Sequence, residues 1–311
     1  MDTPEEKFVL IDGNAIVHRA YHVMPPLTRK DGTPTGAVQG FFNMVLKIIQ
    51  ELKPEHLVIA FDRPAPNFRK ELFKDYQSKR PAMESDLSPQ FGIIQGILEK
   101  AKISVYSVDG LEADDVIGTI AEKAKSTGHL VYILTGDRDM LQLVNHKTKV
   151  IAPVKGISEV ILFDEEKVKE KYGIPASQFI ELKALMGDSS DNYPGVAGIG
   201  PKTASGLIVE YGTVENIYKN IAKIKAKNPK LAKKLEVGEK NARLAHQLAT
   251  ILVNAPFEYD FATCDMKNLD VAEFKKALES YDFKTLPKRL DDVFKANGKI
   301  DKISEAQMKL I

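Results

Sequence analysis

The sequence predicts an α/β fold in which a mostly parallel sheet lies between helices and a helical region follows it. Three observations carry this. Short apolar, β-branched runs alternate with amphipathic helical stretches through the first half of the chain. Three of those runs lead straight into an aspartate. After Gly173 the strand signals fade and helical periodicity takes over.

In order, Phe8-Val9-Leu10-Ile11 reads as a strand that ends at Asp12-Gly13, and Gly36–Leu52 carries apolar residues at helical spacing. Leu57-Val58-Ile59-Ala60-Phe61 is a second strand, ending at Asp62. Residues 103–108 form a third, 114–125 a helix, and Leu130-Val131-Tyr132-Ile133-Leu134 a fourth strand leading into Thr135-Gly136-Asp137. Short strands over 149–152 and 159–163, with Gly156 between them, read as a hairpin. A helix is expected over 175–186, then a segment rich in glycine and acid over 187–200, then mainly helix with a lysine-dense stretch over 219–243. The expected organisation is an α/β body over 1–187, a helical region over 188–290 and a polar tail over 291–311.

Composition narrows the function classes. At 311 residues, 43% hydrophobic and 28% charged, the chain has the make-up of an ordinary globular protein and excludes a disordered one. No apolar run approaches the roughly 20 residues of a membrane span, and the N-terminus begins acidic rather than basic-then-apolar, so neither a span nor a secretory signal is expected. Cys264 is the single cysteine, which leaves no intrachain disulfide or multi-cysteine zinc site and makes a reducing cytosol the default compartment. The net charge of +1 becomes +10 when nine acids considered below are set aside, a basic surface around an acidic centre.

Those acids are the informative feature. Asp12, Asp62 and Asp137 each fall at or just past the end of an expected strand, the edge at which open α/β sheets bind ligands. Glu112, Asp114 and Asp115 open the helix after the third strand. Asp139 follows Asp137 by two residues, and Asp188 and Asp191 follow the helix over 175–186. Singly, each has a plainer reading: a strand-ending turn at Asp12-Gly13, helix-dipole partners at 112–115, an Asx turn before Pro194. Together they pool negative charge at one edge, and hard oxygen ligands suit Mg²⁺ or Mn²⁺. Two such ions roughly 4 Å apart support phosphoryl transfer, one generating hydroxide and both stabilising the in-line displacement.

In this order the motifs Val9-Leu10-Ile11-Asp12-Gly13-Asn14, Ala60-Phe61-Asp62, Glu112-Ala113-Asp114-Asp115, Thr135-Gly136-Asp137-Arg138-Asp139, Gly187-Asp188-Ser189-Ser190-Asp191-Asn192 and the run from Gly195 to Ala204 resemble the 5′ nuclease, or flap endonuclease, superfamily. Within it the chain resembles the N-terminal 5′–3′ exonuclease domain of bacterial DNA polymerase I, over nearly the whole chain. The resemblance implies a PIN-like three-layer α/β/α body, a helical arch near 64–93 through which a single strand passes, and a helix–turn–helix element near 188–210. It implies that all nine acids bind two or more divalent ions, those from Asp12 to Asp115 mainly the first and Asp137, Asp139, Asp188 and Asp191 the second.

Further roles follow from the same resemblance. Gly195, Gly198 and Gly200 would bring backbone amides to a duplex phosphate, their carbonyls holding K⁺, with Lys202 and Lys183 as backbone contacts. Read alone, that glycine run is a tight loop between helices. In the arch, basic residues would hold phosphates, Tyr76 would stack a base, Arg80 matches the family's arginine, and Arg19 matches a basic position near the scissile phosphate. One departure is visible: the family usually has Tyr-Lys where this chain has Tyr76-Gln77, so Lys79 or Arg69 is expected to substitute, Lys79 in part. The implied activity is metal-dependent cleavage at 5′ ends, nicks and flaps of DNA, including RNA-primed ends, by a cytoplasmic, nucleoid-associated monomer with a polymerase module in the same or another chain. The alternatives are a related RNA-directed metal nuclease, which the glycine turn and basic region disfavour, and a binding module for DNA structures, which the intact acid set disfavours.

Overall fold

In the computed structural model, which describes residues 5–156 and 159–296, the apolar run before Asp12 is the central strand β1 (Lys7–Asp12). The carboxylate of Asp12 accepts from Ala15 N and so caps α1 (Gly13–Val23). There follow α2 (Gly36–Leu52), β2 (His56–Ala60), the short α3 (Phe68–Leu72), α4 (Ser88–Lys100) and β3 (Ser104–Tyr106). Next come α5 (Ala113–Ser126), β4 (Leu130–Leu134), β5 (Thr148–Lys155), β6 (Glu159–Phe163) and α6 (Glu165–Tyr172). Asp164 caps α6, and Gly173, at φ 73°, ends it.

The sheet order is β3-β2-β1-β4-β5-β6, parallel throughout except for the β5–β6 hairpin. The chain steps outward from β1 to β2 and β3, then restarts with β4 on the other side of β1. The switch point therefore lies at the C-terminal ends of β1 and β4, where Asp12 and Asp137 emerge. Strand side chains alternate between two cores. Phe8, Leu10, Val58, Ala60, Val131 and Ile133 pack with α5 on one face. Val9, Ile11, Leu57, Ile59, Tyr132 and Leu134 pack with α1, α2 and α4 on the other. Burial on both faces is why these strands read as continuous apolar runs.

The helical region comprises α7 (Phe179–Met186), the two-residue strands β7 (Gly187–Asp188) and β8 (Tyr193–Pro194), α8 (Pro201–Tyr211), α9 (Val214–Lys219), α10 (Ile221–Lys227) and α11 (Pro229–Ala249). Helix α7 packs against α11, so the helical layer starts before the boundary expected at 187. The larger difference lies at the other end. Residues 250–265 descend over α5, where Thr119 Oγ1 donates to Leu252 O and accepts from Ala255 N. The chain then crosses to the opposite face as α12 (Val271–Ser280) and α13 (Leu286–Ala296). Phe274, Leu278, Leu290 and Val293 are buried there with α2 and α4, in the core of the α/β body. The helical region expected over 188–290 thus mixes two layers, and the tail expected from 291 begins inside α13. The remainder of that tail, 297–311, lies outside the described residues.

The arch expected near 64–93 is mostly not helical. Helix α3 covers five residues, residues 74–79 form turns, and α4 belongs to the body through Ile94, Ile97 and Leu98. Pro64, Pro66, Pro81 and Pro89 punctuate the segment and prevent a long helix from propagating. No helix among the described residues is long and apolar enough to cross a membrane.

Candidate metal centre and nucleic-acid interface

A cleft of about 580 Å³ opens over the switch point, and Asp12, Asp62, Glu112, Asp114 and Asp137 line it. Hydrogen bonds from backbone and side chains aim three of these carboxylates. Asp12 Oδ2 accepts from Thr135 Oγ1 at 2.7 Å, and Thr135 Oγ1 accepts from Asp137 N at 2.9 Å. Asp62 Oδ1 accepts from Ala113 N at 2.8 Å, which ties the end of β2 to the start of α5. Glu112 Oε1 accepts from Asn67 Nδ2 at 2.7 Å, and Glu112 Oε2 accepts from Tyr76 Oη at 3.2 Å.

Asp139, Asp188 and Asp191 form a second group, with one oxygen from each lying within 4.8 Å of the others. The β7–β8 hairpin delivers the last two. It closes because Gly187, at φ 71°, meets Gly195 backbone to backbone: a Cβ on Gly195 would lie 2.3 Å from Gly187 N. Lys183 sits inside this group, 2.6 Å from Asp139 Oδ1 and paired with Asp188. The Lys183–Asp139 contact is short but poorly aligned for a hydrogen bond.

Electrostatics fit these oxygens to divalent cations. Burial, then the neighbouring Asp62 and Asp137, pushes Asp12 up to about 7. Burial likewise lifts Glu112 and Asp139 to about 7, aided by Asp62 and Asp137 respectively. Asp114 is held well above the usual carboxylate range by burial and by Asp137, Asp12, Glu112 and Asp62, and burial also raises Asp137. Only Asp188 is held low: burial opposes its charge, but Lys183 and Ser190 outweigh it. Buried oxygens that repel one another and lack enough basic partners are the donor set a Mg²⁺-class ion neutralises.

The folded pKa values exceed the roughly 3.9–4.3 of unfolded carboxylates, so the folded chain holds protons that the unfolded chain releases. Stability is fully present below about pH 4 and is lost as pH rises to about 7. The lowered acids such as Asp188 act only below that window. In EDTA the melting temperature is expected to be lower at pH 8 than at pH 5.5, by about 2–4 °C per kcal/mol lost, and Mg²⁺ should restore it. An equal or higher melting temperature at pH 8 in EDTA would contradict this charge arrangement.

The model for the "5′-3′ exonuclease, N-terminal resolvase-like domain" matches residues 7–173, and that for the "5′-3′ exonuclease, C-terminal SAM fold" matches residues 174–272. The chain belongs to the 5′–3′ exonuclease family. It is 35% identical to a 5′-3′ exonuclease of Aquifex aeolicus over 92% of this chain and 96% of that protein. It is 38% identical to DNA polymerase I of Bacillus subtilis over 93% of this chain, spanning 33% of that longer protein. Its fold matches T5 5′-exonuclease with bound zinc at TM-score 0.65 and 19% identity, covering 93% of this chain and 99% of that one. It also matches the catalytic core of Rad2 with DNA substrate at TM-score 0.55 and 19% identity, covering 93% and 92%. The two exonuclease models meet ahead of the boundary expected at 187, in keeping with the packing of α7 on α11.

Within this exonuclease fold several expected residues take other places. Asp115 is fully buried and faces away from the cleft: its two oxygens hold Arg69 Nη1 and Nη2 at 2.7 and 2.8 Å, and Oδ1 also accepts from Leu252 N. Of the nine acids, five thus line the cleft, three form the second group, and Asp115 is turned into the core. Arg69 is 2% exposed and donates as well to Leu248 O and Thr250 O, so it is not offered to phosphate. Tyr76 is 4% exposed and stacks on Tyr193 at 6.4 Å, which leaves no open face for a base. Lys183 is bound by acids rather than directed outward.

The remaining expected residues lie around the rim. Arg80 pairs with Asp191 Oδ1 at 2.6 Å and lines the cleft, whereas Lys79 is exposed and is not part of the lining. Arg19 is pinned to Val154 O and Gly156 O of the β5–β6 hairpin, in a small pocket beside Asp137 and Arg138. Gly195 is consumed by the hairpin contact. Gly198, at φ 75°, lies against Lys234, whose Nζ donates to Gly198 O at 3.0 Å. Gly200 is open and precedes α8, with Lys202 exposed in the first turn. Also in the lining are His18 and Arg63, which sequence reasoning missed, Asn14, which it quoted in a motif without a role, and Lys70, which it placed only among the basic residues of the arch. Position just after a strand-ending aspartate marks Asn14, and the basic segment from Asn67 marks Lys70, but neither signal separates a cleft residue from a solvated one.

Proposed function

We propose that the chain hydrolyses phosphodiesters at 5′ ends and flaps of branched or nicked DNA, using two or more Mg²⁺ or Mn²⁺ ions held by Asp12, Asp62, Glu112, Asp114, Asp137, Asp139, Asp188 and Asp191. The observation that carries this reading is the gathering of eight carboxylates, seven of them buried or half-buried and most with raised pKa values: five line a cleft rimmed by Lys70, Arg80, Arg63 and His18, and three form the second group. Bound divalent ions would supply a hydroxide nucleophile and neutralise charge at phosphorus. The protein's own part is orientation: Thr135 fixes Asp12, Asn67 and Tyr76 fix Glu112, and Arg80 fixes Asp191. A DNA substrate is supported by the relatives: the T5 flap endonuclease has been solved with DNA and metal ions, and the Rad2 core with DNA substrate. In this reading Lys202 and the amides of 198–200 hold the duplex backbone, and K⁺ would take the turn's carbonyls in place of the Lys234 ammonium that Gly198 O holds.

The task proposed is removal of RNA-primed 5′ ends and repair intermediates, by a cytoplasmic, nucleoid-associated monomer acting with a polymerase module in the same or another chain. The test is cleavage of an end-labelled 5′-flap duplex in Mg²⁺ and in chelator, beside single-stranded and blunt duplexes. Mg²⁺-dependent cutting at the junction is expected. Tight binding without cutting would instead make the chain a DNA-structure binding module.

The charge missing at Gln77 is assigned here to Lys70, because Lys70 lines the cleft while Lys79 does not and Arg69 is buried. Lys70→Ala is expected to slow single-turnover cleavage by about 10²-fold, and Lys79→Ala by about twofold at most. The reverse order would return the role to Lys79.

A further inference from the structure

At the opposite end of the sheet from the cleft, Glu6, His56 and His129 meet. Glu6 directly precedes β1, His56 opens β2 and His129 directly precedes β4, so the N-terminal ends of three adjacent parallel strands converge here. At about 3.3 Å per residue along β1, this cluster stands on the order of 15–20 Å from Asp12.

We propose that Glu6, His56 and His129 form a binding site for one divalent transition-metal ion of the zinc class. Glu6 Oε2 lies 3.5 Å from His56 Nε2 and 3.4 Å from His129 Nε2. These separations are longer than charge-assisted hydrogen bonds, which close to about 2.7–2.9 Å. They equal the edge of a tetrahedron whose centre is about 2.0–2.2 Å from nitrogen and carboxylate ligands, which is about 3.4 Å. The three ligand atoms lie within 4.8 Å of one another, and water would take the fourth position on the solvent side, where the Glu6 side chain is 60% exposed.

The imidazoles are already oriented. His129 Nδ1 is 3.2 Å from Ala124 O and 2.9 Å from Thr127 Oγ1. Donation from Nδ1 to that carbonyl leaves the lone pair on Nε2, the arrangement that positions metal-binding histidines. His56 stacks on Phe8 at 5.2 Å, and its Nδ1 is buried without a partner, so Nε2 is the nitrogen it can offer. His129 stacks on Phe261 at 5.9 Å. Nearby Lys147 is engaged by Glu5 and Gly128 O, and Asp265, beside His56, is engaged by Lys267. Two imidazoles and one carboxylate select Zn²⁺, Co²⁺ or Ni²⁺, whereas the all-oxygen cleft suits Mg²⁺. Bound there, the ion would clip the strand starts of β1, β2 and β4 together.

The test follows ring resonances of ¹⁵N-histidine in the full chain while Zn²⁺ is added in the presence of excess Mg²⁺. One equivalent should shift His56 and His129 together and leave His18, which lines the catalytic cleft, unmoved. Glu6→Gln should weaken Zn²⁺ binding by at least about tenfold, and His129→Asn should weaken it further. Mg²⁺-dependent cleavage, with its residues at the far edge, checks that each variant is folded. If His129→Asn does not fold, Glu6→Gln alone decides. Shifts at His18 first, unmoved rings of His56 and His129 at one equivalent, or unchanged affinity in Glu6→Gln would each overturn the site.

Discussion

Replacing Arg69 with alanine is expected to destabilise the protein by about 3–5 kcal/mol, because it leaves the Asp115 carboxylate charged and buried with its main partner gone. The guanidinium makes a bidentate pair with Asp115 and donates to two carbonyls at the end of α11, so one side chain joins α3, α5 and the helical layer. Asp115→Asn should cost a comparable amount, since an amide cannot accept both guanidinium hydrogen bonds. Arg69→Lys should recover little, because an ammonium lacks the planar fork. Urea unfolding followed by two probes measures this. If Arg69→Ala falls within about 0.5 kcal/mol of the unmodified chain, as for an ordinary surface position, the buried-pivot assignment fails. A DNA-contact role would show itself differently, by flattening the salt dependence of binding by about one phosphate's worth.

Asp114→Asn is expected to do the reverse to the neighbouring position. Single-turnover cleavage of a flap substrate should fall by on the order of 10²–10³-fold, the loss typical of removing one preorganised charge-stabilising group. In EDTA the variant should melt at a higher temperature than the unmodified chain. Burial first, and then Asp137, Asp12, Glu112 and Asp62, oppose ionisation of Asp114, so an amide there relieves repulsion that the apo protein carries. Adjacent acids in one motif thus separate by readout: Asp115 by stability, Asp114 by activity with stability gained. Cleavage within tenfold of normal in Asp114→Asn would remove it from the metal-binding set.

Much of the architecture was legible because it rests on local pattern. Doubly buried strands must be apolar along their whole length, so the runs ending at Asp12, Asp62 and Asp137 announced a parallel sheet and its ligand-binding edge. Helices α2 and α5 followed from spacing alone. The arch did not, because a basic, proline-punctuated stretch carries no periodicity to distinguish helix from turns, and its conformation is set by docking. Gln77 N donates to Asp191 O, and Asn192 Nδ2 donates to Asp75 O.

The amino-acid sequence by itself determined the fold class, the switch-point edge and which acids stand near it, because hydrophobic period and strand-end position are local properties of the chain. Only the tertiary structure decided which charges face the cleft and which face each other. Asp114 and Asp115 are consecutive on α5, and a helix turns about 100° per residue, so one enters the cleft and the other the core. Arg69 and Lys183 looked like phosphate ligands because free basic side chains usually are solvated, yet each lies among carboxylates brought close by distant segments. The same holds for α13, whose apolar face finds its partner on α2, on the far side of the sheet from α7–α11. Pairing across long loops depends on where the chain returns in space, and no local pattern records that.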